Sequence, residues 1–341
     1  MISLSILDYS PVDEGSNDRM ALQQTAELAR AADRLGYHRF WVSEHHYLPP
    51  LAGSNPELLM MHLANQTEHI RIGSGGVMLP NYSAYKIAEN FRMLEALHPG
   101  RIDLGAGRAA GAGRIGKKAL NEGRTETVPY EQQLIDLIRY LNDEEPADHR
   151  FPGLKATPVI DTQPELWMLG TGRGGAELAA DHGTGLAFAH FINASSVGRA
   201  AMQQYQANFR SSTALSAPRG MVGIFVTVAD TEEEAEQLAR SWDYWLLMSE
   251  NKGQRLPFFP SPATIESHDY STKDLEVIAR NRRRMIVGTA DSVREGIEEL
   301  AADYAVQEVL LLPLMYGFHN RMRAIEQLAA AFGLSQTMQP L

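Results

Sequence analysis

The sequence predicts an α/β fold closed into a (β/α)₈ barrel, and three observations carry that prediction. Strand-like and helix-like segments alternate from the first residues. Eight strand candidates can be counted along 341 residues, and no Gly/Ser or Pro-repeat linker divides them. Two connections exceed an ordinary crossover, so the expectation includes long insertions after strands four and seven. A single domain, 1–341, follows.

Ile2 to Tyr9 is an apolar, β-prone first strand. Met20 to Leu35 follows as an amphipathic helix, with Leu22, Ala26, Ala29 and Ala32 at helical spacing and Gly36 as its stop. Arg39 to Ser43, Ile70 to Leu79 and Arg101 to Ala106 read as strands two to four. Leu166 to Leu169, Gly185 to Ala189, Met221 to Val228 and Val309 to Leu314 complete the count. The first insertion, Arg108 to Thr162, holds a helix at Glu131 to Leu141. The second, Asp230 to Val306, carries an apolar Leu256–Pro260 segment and the run Arg282-Arg283-Arg284. Insertions at the carboxyl end of a barrel serve as lids or binding loops.

Lys+Arg 31 against Asp+Glu 42 gives a net charge of −11, which disfavours nucleic acid and anionic membrane as partners. The chain has no cysteine, which excludes disulfides, zinc–thiolate and iron–sulfur sites and a cysteine nucleophile, and suits a reducing cytoplasm. Met1-Ile2-Ser3-Leu4 runs straight into the first strand without a basic, apolar leader pattern, and no apolar run approaches a membrane span.

Chemistry concentrates at Trp41-Val42-Ser43-Glu44-His45-His46-Tyr47, an apolar run ending in a carboxylate, two imidazoles and a phenol. Such groups are costly to bury without partners, so they belong where the strand emerges at the open end of the barrel. Adjacent strand residues point to opposite faces, and no H-E-x-x-H or i,i+4 histidine pair occurs, so a metal site is disfavoured. One imidazole serves as general acid/base or cofactor contact while the other is packed and hydrogen-bonded; the residues alone leave open which.

Gly170-Thr171-Gly172-Arg173-Gly174-Gly175 follows a strand and opens a helix, the arrangement that lets backbone N–H groups approach a phosphate. About 20 positions on, Ala189-His190-Phe191 holds no carboxylate, so a mononucleotide phosphate fits better than a dinucleotide. Gly111 to Gly116 repeats the pattern away from any strand and reads as an ordinary turn. Arg108 and Arg124 are candidate cations for the same dianion, each weak alone. Gly73, Gly75 and Gly76 inside a strand mark either a bulge with close ligand approach or tight packing. Ser74 lies outside any G-x-S-x-G elbow, which disfavours a serine hydrolase.

Trp41 to Tyr47, Ile72 to Pro80 and Gly100 to Arg108 (G-R-I-D-L-G-x-G-R), in this order, resemble the bacterial luciferase-like flavin monooxygenases. The opening Ser5-Ile6-Leu7-Asp8-Tyr9-Ser10-Pro11 is similar to one subgroup of them. The resemblance implies a TIM barrel with FMN in its mouth, the ring over Gly75-Gly76, where relatives often have a non-prolyl cis peptide. It implies that Arg108, Arg124 and the turn Thr171, Gly172, Arg173, Gly174 hold the phosphate. It implies that His45 is the catalytic imidazole, with His46 its neighbour in the motif, and that the protein is a homodimer through helices near strands two to four. Gly107 stands where the family's archetype has a reactive cysteine, and Arg173 with extra glycines stands where relatives often have serines or aromatics.

The function implied is a cytoplasmic, two-component FMN-dependent monooxygenase. Reduced FMN from a separate NAD(P)H:flavin reductase would react with O₂ and oxygenate a small organic substrate, an aldehyde or ketone. Two rivals are an F420-dependent hydride-transfer oxidoreductase on the same barrel and a flavin-binding protein without turnover.

Overall fold

The computed structural model describes residues 2–109, 111–124, 127–144 and 149–335. The chain runs β1 (Ser3–Asp8), α1 (Asp18–Leu35), β2 (Arg39–Val42), α2 (Pro56–Ala64), β3 (Arg71–Met78), α3 (Ala84–Leu97) and β4 (Ile102–Gly107). The first insertion contributes α4 (Arg114–Leu120) and α5 (Tyr130–Asn142). Then come β5 (Glu165–Gly170), α6 (Arg173–Asp181), β6 (Gly185–Ala189), α7 (Ser196–Asn208) and β7 (Gly220–Val228). The second insertion holds α8 (Glu232–Leu246), α9 (Pro262–Glu266), α10 (Thr272–Asn281), β8 (Met285–Gly288) and α11 (Ala290–Tyr304). β9 (Glu308–Leu312) and α12 (Phe318–Phe332) close the chain.

Every strand pairing is parallel, and β1 pairs with both β2 and β9 while β7 pairs with β6 and β9, so eight strands close a barrel ringed by helices. The eight predicted strands are all present. A ninth, β8, lies inside the second insertion and was not anticipated. It pairs with Phe225–Val228, the later part of β7, of which Phe225 also pairs with β9.

Local signals explain the boundaries. Asn17 caps α1 by accepting from the Met20 amide, and Gly36 ends it at φ 84°, a conformation cheap only for glycine. A Ser271–Asp274 capping box starts α10. One apolar layer, with Ile6, Phe40, Ile72, Phe91 and Leu186, joins barrel to helices; a second, with Leu7, Trp41, Trp167 and Leu310, fills the barrel interior.

A charged layer seals the amino end. Buried Arg39 donates to Asp103 (2.8 Å), Glu308 (2.7 Å) and Glu165 (3.0 Å) and lies over the Trp167 ring. Trp41 Nε1 and Arg71 also donate to Asp103. Burial pushes the Glu165 carboxyl up, but the Arg39, Arg71 and Arg219 guanidiniums outweigh it and pull it down to about 2. With this end blocked, the opposite mouth is the face where strand ends can meet a ligand. No helix among the described residues is long and apolar enough to cross a membrane.

Candidate functional site at the barrel mouth

Because the strands are parallel, the segments after β1, β2, β3, β4 and β5 all emerge at one end. Beyond β2, the two imidazoles separate as extended chain demands. His45 lies edge-on to Tyr9 at the end of β1, with ring centroids 4.9 Å apart, and its Nδ1 is 2.9 Å from Ser43 Oγ. Burial, with a smaller contribution from the His46 charge, pulls the His45 imidazole down to about 4, so it is neutral at neutral pH. A neutral ring there can donate or accept a hydrogen bond but does not store a proton.

His46 turns to the other side. Its Nε2 is 2.7 Å from Glu44 Oε1, which also accepts from the Tyr82 hydroxyl at 2.9 Å. Glu44 Oε2 accepts from the Met78 amide at 2.8 Å. Glu44 is completely buried. Burial, then the adjacent Glu44 charge, pushes the Tyr82 phenol well above its usual range. The His45 amide donates to Gly53 and the His46 amide to Gly111, which fixes the backbone of the pair.

At β3 the Gly75–Gly76 peptide is cis. A Cβ on Gly76 would stand 2.4 Å from the Gly105 carbonyl oxygen, and one on Gly105 would stand 2.1 Å from that of Ser74. One on Gly75 would strike Leu7 at 2.7 Å. These glycines therefore serve close packing of β3 on β4 and on inward side chains, around a register shift between Gly75 and Val77. Gly75 keeps partial exposure, so its backbone can meet a flat ligand.

The anion candidates come from three segments: the end of β4, the first insertion and the turn after β5. Arg108 is exposed just past β4, makes no hydrogen bond or ion pair among the described residues, and lies close enough to Tyr130 to act on its phenol. Arg124 donates to the Pro80 carbonyl (2.7 Å) and Asn121 Oδ1 (3.0 Å), beside the end of β3. The Thr171–Gly174 turn is bonded to Asn193, whose amide donates to the Thr171 carbonyl. Gly172 is the N-cap of α6 and supplies no side-chain acceptor, and neither Gly172 nor Gly174 has a neighbour within 4 Å of a Cβ position. No hydrogen bond joins the turn to either arginine among the described residues. An uncapped helix start with open glycines and two exposed guanidiniums are donors whose chemistry suits a phosphate dianion, the group a flavin nucleotide would bring.

Aromatic contacts complete the mouth. Tyr9 meets Phe191 at 6.4 Å, Phe191 meets Phe225 at 5.2 Å, and Phe225 meets Trp242 of α8 at 4.2 Å. The second insertion reaches over this wall. Phe259 is fully buried and exchanges backbone bonds with Val12 and Glu14, and Arg255 stacks on Tyr47 at 4.4 Å. Tyr9, Tyr82 and Glu44's bonding role were missed from sequence, because Tyr9 read as strand and Tyr82's partner lies 38 residues away. Among the described residues no group of three His, Asp or Glu could hold a metal ion.

The fold and site together define a TIM barrel whose mouth carries an imidazole pair, a buried carboxylate and cationic loops. The luciferase-like monooxygenase family model matches residues 3–307, and the chain belongs to that family. YwcH of Bacillus subtilis (strain 168) is 49% identical over 333 residues, 97% of this chain and 99% of YwcH. The N-acetyl-S-alkylcysteine monooxygenase of the same organism is 35% identical over 318 residues, covering 91% of this chain and 92% of its own length. The structure of apo-MsnO8 superposes with a TM-score of 0.89 at 34% identity, over 98% of this chain and 99% of that one. The same fold is shared, below 20% identity, by the FMN complex of the oxygenating constituent of 3,6-diketocamphane monooxygenase from Pseudomonas putida (TM-score 0.68, 100% of both chains). It is shared too by an F420-dependent secondary alcohol dehydrogenase (TM-score 0.67, 97% and 98%).

Proposed function

We propose that this protein is an FMN-dependent monooxygenase of the two-component type, supplied with reduced FMN by a separate NAD(P)H:flavin reductase. The observation that carries the reading is the neutral His45, held by Ser43 and Tyr9 at the mouth of a luciferase-like barrel. Arg108, Arg124 and the turn Thr171, Gly172, Arg173, Gly174 would hold the phosphate, and Gly75 and Gly76 would border the ring. Reduced flavin, when bound, supplies the electrons that activate O₂.

This chain's own part is to orient and to exclude water. His45, neutral and half-buried, offers one ring nitrogen to the mouth while the other is engaged by Ser43. His46 is the partner imidazole, tied to Glu44. The Phe191–Phe225–Trp242 wall and the segment anchored at Phe259 screen the mouth from solvent, which suits a small apolar substrate. An aldehyde or ketone fits that wall, and the named activity of the Bacillus subtilis relative puts a thioether beside them. The reading includes a cytoplasmic homodimer through α2 and α3, whose Leu58 and Leu97 are 72% and 57% exposed.

Two assays test it. The protein should bind FMN more tightly than F420 and, with a flavin reductase, consume O₂ in step with an aldehyde, ketone or thioether. Tight F420 binding without FMN binding would establish the hydride-transfer rival. FMN binding with no substrate-dependent oxygen use over the panel would favour a binding protein without turnover. Unchanged oxygenation by His45→Ala would remove the role given to that residue.

A further inference from the structure

Ser43, Glu44, His45 and His46 pair off two residues apart, Ser43 with His45 and Glu44 with His46. We propose that Glu44 is a positioning residue: its carboxylate holds His46 as the Nε2–H tautomer and fastens the chain on both sides of His45 to the end of β3. The role in turnover rests on the mouth being the active site; the tautomer does not.

The geometry supports this in three steps. First, the carboxylate receives three donors at 2.7–2.9 Å: His46 Nε2, the Tyr82 hydroxyl and the Met78 amide. A carboxylate accepts and cannot donate, so the proton of that short contact sits on Nε2. Nδ1 of His46 has no hydrogen-bond partner among the described residues.

Second, Glu44 is fully buried and no lysine or arginine is ion-paired to it among the described residues; its contact with His46 is a hydrogen bond. A carboxylate in such a place costs several kcal/mol unless its oxygens are satisfied, and an apolar side chain would serve packing better. What the acid provides that a hydrocarbon cannot is a junction between β2 and β3.

Third, the junction brackets His45. Glu44 precedes it and is tied to Met78 and Tyr82; His46 follows and is tied to Glu44 and, through its amide, to Gly111. Met78 lies two residues beyond Gly76, so the same carboxylate links the strand end that presents His45 to the strand that presents Gly75–Gly76. Freed from Glu44, the His45 ring would lose its fixed distance from that strand.

The test uses full-length protein with Glu44→Gln, Glu44→Asp and Glu44→Ala. Nitrogen-15 NMR of histidine-labelled protein without flavin reads the His46 tautomer directly. Wild type should show Nε2–H. Glu44→Gln, whose amide can face either way, should show a mixture, and Glu44→Asp should restore part of the Nε2–H form. In the reductase-coupled assay, Glu44→Gln should lower kcat about tenfold or more while KM for reduced FMN changes less than about threefold. An Nδ1–H His46 in wild type, or an unchanged tautomer in Glu44→Gln, overturns the proposal. So does an unchanged kcat in an active enzyme. If Glu44→Ala fails to fold, the near-isosteric Glu44→Gln still decides. Absence of any oxygenase activity would strike the functional reading alone, because the NMR arm needs neither flavin nor substrate.

Discussion

Replacing Arg39 with methionine should destabilise the protein by about 3 kcal/mol at neutral pH, the lower end of the cost of breaking a buried ion pair. The magnitude follows from what each carboxylate retains. Asp103 keeps Arg71 at 2.7 Å and the Trp41 indole at 2.8 Å, and Glu165 keeps Arg219 at 2.9 Å. Among the described residues Glu308 keeps the Ser5 hydroxyl but no lysine or arginine, so a single carboxylate is left without a guanidinium or ammonium partner. Removing that charge too should help, and Arg39→Met/Glu308→Gln should recover about half the loss. Acid provides a second readout. The Glu165 carboxyl, held at about 2 against an ordinary 4.5, contributes stability that is present above 4.5 and lost as pH falls towards 2. Arg39 is the largest of the three attractions that hold it there, so the gap between wild type and Arg39→Met should narrow through that window. Urea titrations followed by tryptophan fluorescence at pH 7.5, 4.5 and 3 measure both effects, with Trp167 lying directly beneath Arg39 as reporter. A loss below about 1 kcal/mol, or no recovery in the double variant, would refute the reasoning.

Lowering the pH from 6.5 to about 4 should cost stability through His45, since the unfolded chain takes up a proton that the desolvated ring refuses. The difference is at most about 3 kcal/mol and should vanish in His45→Gln, as denaturant titrations across the range will show. Gly105→Ala should fail to fold or lose about 3 kcal/mol or more, because its methyl would sit 2.1 Å from a backbone oxygen. Gly172→Ala, with open space around it, should stay within about 1 kcal/mol of wild type, and equal effects at the two positions would contradict the close-approach account. Ser43→Ala should release His45 Nδ1 and change the pH dependence of substrate-dependent oxygen uptake without changing the fold seen by circular dichroism.

Most strands were legible because they are apolar runs bounded by turn residues, and Gly185–Ala189 was placed without error. β8 was not. Met285–Gly288 is four residues long, half exposed along its middle, and follows three arginines, so neither length nor periodicity marks it as a strand. At the mouth, residue chemistry was readable while partnership was not. Placing His45 and His46 at a strand end needed only the cost of burying polar groups. That Glu44 bonds Met78 and Tyr82 depends on how β2 lies beside β3, which no local pattern contains. The Gly75–Gly76 pair likewise stood out, but its main constraint is a carbonyl of β4 that arrives 29 residues later.

β7 changes neighbour at Phe225, pairing with β9 up to that residue and with β8 beyond it. The circuit of hydrogen bonds that closes the barrel is therefore complete without the second insertion. The chain between α8 and β8 can be lengthened, shortened or resculpted while the ring beneath remains shut, because Val293, Ile297 and Ala301 of α11 stay in the core around the barrel, and what changes is the cover presented by Phe259. On the function proposed above, the segment that covers the mouth is the one that can vary without opening the barrel.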